Sequence, residues 1–162
     1  MKERVLPPGV SAAAFSEAID AFNSATGKQW VFDDPEADLS SYRDPYAIVD
    51  DNYFIPSAAI APAKVEEGQA CLRIANKFLI PVWPISGGPN LANGGPAPCL
   101  PGTMTFDLKR MNRIIEVNEE FGYALVEPGV PFFDLYKYLQ DNKIKLWLDV
   151  PDPGWGSVMG TT

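Results

Sequence analysis

A strand, a helix and a second strand follow one another between residues 58 and 85, and this alternation most constrains the fold. Residues 58–61 and 80–85 have the pattern of short apolar strands, and Val65–Phe78 between them has helical periodicity. The predicted buried side of this helix consists of Val65, Leu72, Ala75 and Phe78. A chain of 162 residues with this pattern is expected to bury a core and to contain both helices and sheet.

The flanking sequence predicts further elements. Ser11 can cap a helix over residues 11–25, which ends before Gly27, and a short strand follows at 30–32. Residues 33–57 lack periodicity and are interpreted as an extended arm or ordered loop. Further predicted elements are a strand at 103–108, a hairpin of 114–118 and 123–127, a helix at 131–142 and a strand at 145–149.

These patterns divide the chain into an N-terminal helix and arm, residues 1–57, and a second part, residues 58–162. Residues 157–160 have the pattern of the first turn of another element. A complete domain seldom ends at such a turn, so we expect the chain to be the N-terminal piece of a longer protein.

Composition excludes several classes of function. The chain has 21 Asp and Glu against 13 Lys and Arg, a net charge of −8, which disfavours binding to a phosphate backbone. It has no histidine, which excludes Ser-His-Asp triads and His-ligated metals. Cys71 and Cys99 fit no metal-binding spacing, and two free thiols are favoured over one disulfide. No targeting or membrane-spanning segment is evident, so the expected location is cytoplasmic.

The strongest local signal is the glycine-rich run from Pro84 to Gly95, which follows a predicted strand. Its glycines allow consecutive backbone N–H groups to surround a phosphate, and Ser86 and Asn90 add side-chain donors. The spacing matches neither the dinucleotide-binding pattern nor the P-loop, and the run has no lysine. Phosphate binding and a plain surface turn both stay open at this point.

A second candidate is Asp152, which lies between Pro151 and Pro153 and is followed by glycines. A carboxylate in that frame can accept a hydrogen bond or a proton from a ligand. The plain alternative is an Asx-type turn. Elsewhere, Arg110 and Arg113 are interpreted as surface or capping charges.

Several further motifs accompany these two loops in one characteristic order. They are Leu6-Pro7-Pro8-Gly9-Val10, Ala75-Asn76-Lys77-Phe78, Pro81-Val82-Trp83-Pro84-Ile85-Ser86, Asp107-Leu108-Lys109-Arg110-Met111-Asn112-Arg113, Val126-Glu127-Pro128-Gly129-Val130 and Leu146-Trp147-Leu148-Asp149-Val150-Pro151-Asp152. Together they cover nearly the whole chain. The sequence resembles the vanillyl-alcohol oxidase and para-cresol methylhydroxylase flavoproteins, most closely the 4-hydroxybenzyl-type alcohol oxidases and the eugenol oxidases.

The resemblance implies an α+β, para-cresol methylhydroxylase-type FAD-binding domain. It implies the first subdomain and the start of the second, with the substrate cap domain absent. FAD is the implied cofactor, and no metal is implied. The implied cofactor-binding residues are Ile85, Ser86, Gly87, Gly88, Asn90, Leu91, Pro151, Gly156, Ser157 and Gly160. Asp152 is the implied catalytic residue, close to the flavin N5, where it assists oxidation of the phenolic substrate.

The chain departs from the family pattern inside the glycine-rich loop. Pro89 stands where arginine is usual, and it lacks both the cation and the backbone N–H that a pyrophosphate favours. Ala92 replaces a usual glycine, Asn93 a usual tyrosine that helps to bind the substrate phenolate, and Thr161 a usual asparagine. These departures put substrate turnover by the chain itself in doubt.

The family reaction implied here is hydride transfer to FAD from the benzylic carbon of a para-substituted phenol, with oxygen or a cytochrome as the final acceptor. We expect the isolated chain to be inactive. The alternatives are a non-catalytic truncated remnant or a small binding module without turnover. The expected partner of a full-length form is a small phenolic substrate, with neither nucleic acid nor membrane. Homo-oligomer formation and a peroxisomal full-length form are both compatible with the resemblance.

Overall fold

The structure is a computed structural model that describes residues 4–35, 39–43, 54–88, 95–150 and 154–161. Its α-helices are α1 (Ala12–Thr26), α2 (Val65–Phe78), α3 (Phe132–Asp141) and the single turn α4 (Val158–Thr161), and short 3-10 helices cover Lys28–Trp30 and Leu39–Tyr42. Its strands are β1 (Val31–Phe32), β2 (Ala59–Ile60), β3 (Val82–Ile85), β4 (Met104–Asp107), β5 (Ile114–Asn118) and β6 (Tyr123–Val126). This mixture of helices and strands confirms the predicted α+β class.

Four of the strands form one sheet in the order β1-β2-β4-β3. Strand β1 runs antiparallel to β2, whereas β2, β4 and β3 are parallel. Ile85 and Asp107 are register partners at the carboxyl ends of β3 and β4, so the loops that follow these strands leave from the same edge. Strands β5 and β6 form a separate antiparallel pair.

The two faces of this sheet bury different clusters because side chains alternate along a strand. Met104 and Phe106 pack with α1 and α2, in the cluster that contains Phe15 and Phe22. The opposite face carries Ala59, Leu39, Tyr42 and Ile55, with Phe32 and Ile85 at its margin. Asp107 follows Phe106 and therefore faces the side away from the helices, together with the segment at 39–42.

Both long N-terminal helices have the predicted positions. The Ser11 hydroxyl accepts a hydrogen bond from the Ala14 backbone N–H at 3.2 Å, and Gly27 ends α1 with a φ of 89°. The bounds of α2 are those predicted, but half of its predicted buried side is wrong. Val65 and Leu72 are exposed, and the buried residues are Gly68, Cys71 and Ala75.

The buried residues of α2 are small because the face of the helix that carries them packs closely against the sheet. A Cβ added at Gly68 would lie 3.6 Å from the Phe106 ring. A larger side chain at that position would therefore push the helix away from the sheet. The two free thiols expected from the sequence are also present, with Cys71 buried and Cys99 exposed.

The strand predicted at residues 145–149 is wrong. These residues are irregular, and the backbone N–H of Lys145 donates to the Glu119 side chain at 3.2 Å instead of to another strand. The predicted hairpin and the helix after it are confirmed as β5–β6 and α3. The division at residue 57 stays a prediction, and β1 pairs with β2 across that boundary. Among the described residues, no helix has the length and apolar character needed to cross a membrane.

Candidate functional site

The glycine-rich loop begins where β3 ends, at Ser86, Gly87 and Gly88. Gly88 has a φ of 90°, and a Cβ at this position would come within 3.2 Å of the Pro96 side chain. The positive φ therefore favours glycine here, and a Cβ would in addition be in tight contact with Pro96. Asn90 and Leu91, which were predicted to contact the cofactor, lie outside the described residues.

The segment at 154–158 is held against the start of α3 by backbone hydrogen bonds. The N–H of Phe132 donates to the Gly156 carbonyl, and the N–H of Phe133 donates to the Gly154 carbonyl, both at 3.0 Å. Ser157 forms an isolated antiparallel bridge with Pro131. Pro151 and Asp152 lie outside the described residues, so the candidate catalytic carboxylate has no described position.

A hydrogen bond between two hydroxyl groups joins the two predicted regions. Ser86 Oγ and Ser157 Oγ are bonded to each other, and Ser157 Oγ also accepts the Gly160 backbone N–H at 3.0 Å. Ser157 is buried, whereas Ser86 is partly exposed. Three of the predicted cofactor-binding residues are therefore connected in the fold, although they belong to segments distant in sequence.

A cleft of about 470 Å³ opens beside the start of the glycine-rich loop. Pro96 and three chain segments line it, and each segment contributes different chemistry. Residues 40–43 bring hydroxyl groups and the Arg43 guanidinium, residues 85–88 bring the glycine backbone, and the end of β4 brings Asp107 and Lys109. Ile85, Gly87 and Gly88 were predicted from the sequence, whereas the other two segments were not.

The floor of this cleft is organised around Asp107, whose side chain is only 2% exposed. The Tyr42 hydroxyl donates to Asp107 Oδ2 at 2.8 Å, and the Lys109 backbone N–H donates to Oδ1 at 3.0 Å. The Lys109 ammonium pairs with Oδ2 at 2.9 Å. The carboxylate thus has partners on both oxygens, as a buried charge requires.

A second ion pair closes the base of the β5–β6 hairpin. Arg113 donates to Glu127 through Nη2 at 2.6 Å, through Nε at 3.0 Å and through its backbone N–H at 2.8 Å. These hydrogen bonds from Arg113 lower the pKa of the Glu127 carboxyl below its ordinary value, against the opposing effect of burial. The interpretation of Arg113 as a surface or capping charge therefore missed its buried partner.

Arg110 also has a structural partner. Its guanidinium lies 3.9 Å from the centre of the Trp30 ring and donates to the Ala61 carbonyl at 2.7 Å. The Arg110 side chain thus joins Trp30, in the segment between α1 and β1, to Ala61, which directly follows β2. A plain surface charge, as interpreted from the sequence, would have neither contact.

The residues around the cleft fit a dinucleotide cofactor with a pyrophosphate. The backbone turns at Gly88 with a positive φ of 90°, a conformation that glycine adopts readily, and Gly88 lines the cleft. Hydroxyl groups and two cationic side chains, Arg43 and Lys109, line the same space. A phosphate-bearing group finds hydrogen-bond donors and positive charge there.

Comparison with known proteins gives the family of this chain. The profile of the FAD binding domain matches residues 56–162. The 4-cresol dehydrogenase [hydroxylating] flavoprotein subunit of Pseudomonas putida is 38% identical over 149 residues, which are 92% of this chain and 28% of that protein. The structure of 4-ethylphenol oxidase from Gulosibacter chungangensis, an isoeugenol complex, is 46% identical with a TM-score of 0.90, covering 96% of this chain and 30% of that one.

A relative of a different class matches a shorter part. The mitochondrial D-lactate dehydrogenase [cytochrome] of Kluyveromyces lactis is 37% identical over 101 residues, which are 61% of this chain and 17% of that protein. The chain spans less than a third of the length of each of these relatives.

The chain belongs to the FAD-binding domains of the para-cresol methylhydroxylase type. The prediction of this family and fold from sequence motifs is confirmed, and FAD is the cofactor that the match indicates. The class is that of flavin-dependent oxidoreductases with phenol-oxidising relatives. The roles assigned to individual site residues stay predictions. Sequence reasoning missed Tyr42, Arg43 and Lys109, although Lys109 lies inside a motif that carried the resemblance.

Proposed function

We propose that this chain is the FAD-binding part of an oxidoreductase that oxidises para-substituted phenols at the benzylic carbon. The observation that carries the proposal is the extent of the match to phenol-oxidising proteins. The 4-ethylphenol oxidase structure superposes on 96% of the chain at 46% identity. The 4-cresol dehydrogenase subunit aligns with 92% of it.

The chain's own contribution is to bind and orient the cofactor. We assign the cofactor contacts to Ile85, Ser86, Gly87, Gly88, Asn90, Leu91, Pro151, Gly156, Ser157 and Gly160. The hydrogen bond between Ser86 and Ser157 supports this assignment because it holds the two groups of contacts side by side. FAD, when bound, supplies the chemistry by accepting a hydride from the substrate.

Asp152 is proposed to act on the phenolic substrate. A carboxylate beside the reacting carbon can orient the substrate and hold a proton or hydrogen bond at its oxygen atoms. The frame of Pro151 and Pro153 supports this role because proline restricts the backbone on both sides of the carboxylate. Oxygen and a cytochrome are the two candidate final acceptors.

One alternative is a cofactor-binding module without turnover. The absence of a cation in the glycine-rich loop and the presence of Pro89 favour it. A second alternative is oxidation of a 2-hydroxy acid, which the similarity to D-lactate dehydrogenase favours. Two D-lactate dehydrogenase matches combine 37% identity with 61% coverage of the chain and 30% identity with 88% coverage. Both fall below the phenol-oxidising relatives, at 38% identity over 92% and 46% over 96%, so we rank this alternative below phenol oxidation.

The first experiment measures flavin binding by the 162-residue chain. We would add FAD, remove the excess, and record the visible absorption spectrum and the bound flavin per chain. We expect a stoichiometry near one, because the cleft and the glycine turn are formed in the fold. A chain that keeps no flavin would contradict the proposed cofactor role.

The second experiment tests the substrate class with a chimera. This chain replaces the matching part of 4-ethylphenol oxidase, and oxygen uptake is measured with 4-ethylphenol, vanillyl alcohol and D-lactate. Turnover of the phenols alone is expected, and Asp152→Asn is expected to lower kcat by about 100-fold or more. A chimera that binds FAD but oxidises no phenol favours the module without turnover, and oxidation of D-lactate favours the second alternative.

A further inference from the structure

The glycine-rich loop places no positive charge beside a bound pyrophosphate. Residues 86–95 contain neither lysine nor arginine, and Pro89 among them also lacks a backbone N–H. A pyrophosphate carries negative charge, and charge-assisted hydrogen bonds to it are about twice as strong as neutral ones. A cation that balances this charge has to come from another segment of the chain.

Lys109 lies in the correct place to supply that cation. It follows β4, whose last residue, Asp107, is the register partner of Ile85 at the start of the loop. Lys109 lines the same cleft as Gly87 and Gly88. Parallel neighbouring strands thus bring the lysine and the glycine turn to one edge of the sheet.

The ammonium group of Lys109 is held by several contacts. It pairs with Asp107 Oδ2 at 2.9 Å and lies 3.5 Å from the Tyr42 hydroxyl oxygen. It also lies 5.1 Å from the centre of the Phe32 ring and 5.8 Å from that of Tyr42. An ammonium has three donors, and these contacts order it while its side chain stays 45% exposed toward solvent.

Among the described residues, cationic side chains outnumber carboxylates in the lining of the cleft. Arg43 and Lys109 are its cationic lining residues and Asp107 its anionic one, whereas the chain carries a net charge of −8. Two cationic side chains in one cleft favour an anionic ligand over a cationic one.

We propose that Lys109, ordered by Asp107 and Tyr42, is a pyrophosphate-binding residue of the FAD site, with Arg43 as a second cationic side chain in the lining of the same cleft. The inference rests on the proposed cofactor role of the chain. On this inference, the positive charge beside the pyrophosphate comes from the residues that follow β4 and from the segment at residues 40–43, and not from the glycine-rich loop. Asp107 and Tyr42 are positioning residues because they act through the lysine.

The test compares Lys109→Met with Lys109→Arg and with Lys77→Met. Lys77 is a matched control because it is exposed and also lies over an aromatic ring, 5.0 Å from the centre of Phe78. Dissociation constants are measured for FAD by flavin fluorescence and for inorganic pyrophosphate by calorimetry, at two salt concentrations. Circular dichroism confirms that each variant is folded.

We expect Lys109→Met to raise the dissociation constants of FAD and of pyrophosphate about tenfold. We also expect the binding of both ligands to depend less on salt concentration in this variant. Lys109→Arg and Lys77→Met are expected to stay within about twofold of the unmodified chain. Equal binding by the Lys109→Met and Lys77→Met variants would overturn the inference and leave the cofactor role intact. Binding of pyrophosphate through Lys109 without binding of FAD would support the inference and contradict the cofactor role. Binding of neither ligand would overturn both.

A measurement without substitutions covers the case in which Lys109→Met does not fold. The unmodified chain is acetylated with and without pyrophosphate, and the modification of each lysine is quantified by mass spectrometry. Pyrophosphate should slow acetylation of Lys109 by about threefold or more and leave Lys77 unchanged. Equal acetylation of Lys109 in both samples would overturn the inference.

Discussion

The hydroxyl groups of Ser86 and Ser157 are hydrogen-bonded to each other although 71 positions separate them in the sequence. Ser86 directly follows strand β3 at the start of the glycine-rich loop, and Ser157 precedes the last helical turn. The bond therefore fixes the relative position of two loops that were expected to contact one cofactor. It also links the β-sheet to the segment that pairs with the start of α3.

Ser157→Ala should destabilise the chain by about 1–2 kcal/mol because it removes this bond and the acceptor for the Gly160 N–H. Urea unfolding measures the change. Ser24→Ala is the control, since Ser24 is exposed and its hydroxyl donates to the Asp20 carbonyl within the same helix, α1. A Ser157→Ala variant as stable as the control would show that the link contributes nothing to the fold.

The Glu127–Arg113 pair should make stability depend on pH at the acidic end. The pKa of Glu127 is lower in the folded chain, because of its hydrogen bonds with Arg113, than the ordinary value of about 4.3 in the unfolded chain. The pair therefore stabilises the fold above pH ~4.3, and this stabilisation is lost as the pH falls through the folded-state pKa.

Glu127→Gln should flatten this dependence and should lower the free energy of unfolding at pH 7 by about 1–3 kcal/mol. The measurement is urea unfolding between pH 3 and pH 7. Glu120→Gln is the control, because Glu120 is exposed in the turn of the same hairpin. If both variants keep the pH dependence of the unmodified chain, the ion pair does not control acid stability.

Thr105→Val should leave stability unchanged or raise it by about 1 kcal/mol. The Thr105 side chain is fully buried, and its hydroxyl oxygen has no hydrogen-bond partner in the part of the chain that the structure describes. Valine has the same shape without the cost of a buried, unpaired hydroxyl. Thr26→Val is the comparison, since the Thr26 hydroxyl donates to the Phe22 carbonyl at 3.1 Å and its loss should destabilise. A clear loss of stability in Thr105→Val would mean that a buried water molecule satisfies the hydroxyl.

The two cysteines should react with thiol reagents at very different rates. Burial raises the pKa of Cys71 to about 11, with a smaller effect of Glu67, whereas Cys99 is exposed. A disulfide reagent at pH 8 should label one thiol quickly and the second only on unfolding. Cys99→Ser should abolish the fast phase, and a fast phase that survives this change would show that Cys71 is accessible.

The 162-residue chain alone should not oxidise vanillyl alcohol or eugenol, even with FAD added. The phenol-oxidising relatives are more than three times as long as the part that matches this chain. Asn93, in addition, cannot supply the phenol group that the family resemblance places at this position. Oxygen consumption measures the reaction, with FAD alone as the control. Steady uptake above that control would contradict the prediction.

The sequence was sufficient for the elements whose signals are local. A capping serine, a helical period or a glycine at a helix end acts through neighbours within a few residues, so α1, α2 and the β5–β6 hairpin lie where predicted. Residues 145–149 have a strand pattern in the sequence, as the strands of the hairpin do, but their backbone forms no strand in the structure. A strand exists only when another strand accepts its hydrogen bonds, and no local pattern reports whether such a partner is present.

The contacts between segments distant in sequence, and the choice of which helix face is buried, were decided only by the tertiary structure. The motif that contains Asp107 and Lys109 was recognisable from the sequence, yet its contact with Tyr42 spans 65 positions and has no local signal. The buried side of α2 likewise depends on how closely the sheet approaches it, which selects Gly68 over Val65. By itself the sequence determined the family and the cofactor, because these follow from motifs. Only the packed chain decided which charges meet in the cleft, because burial and charge pairing depend on distances in space.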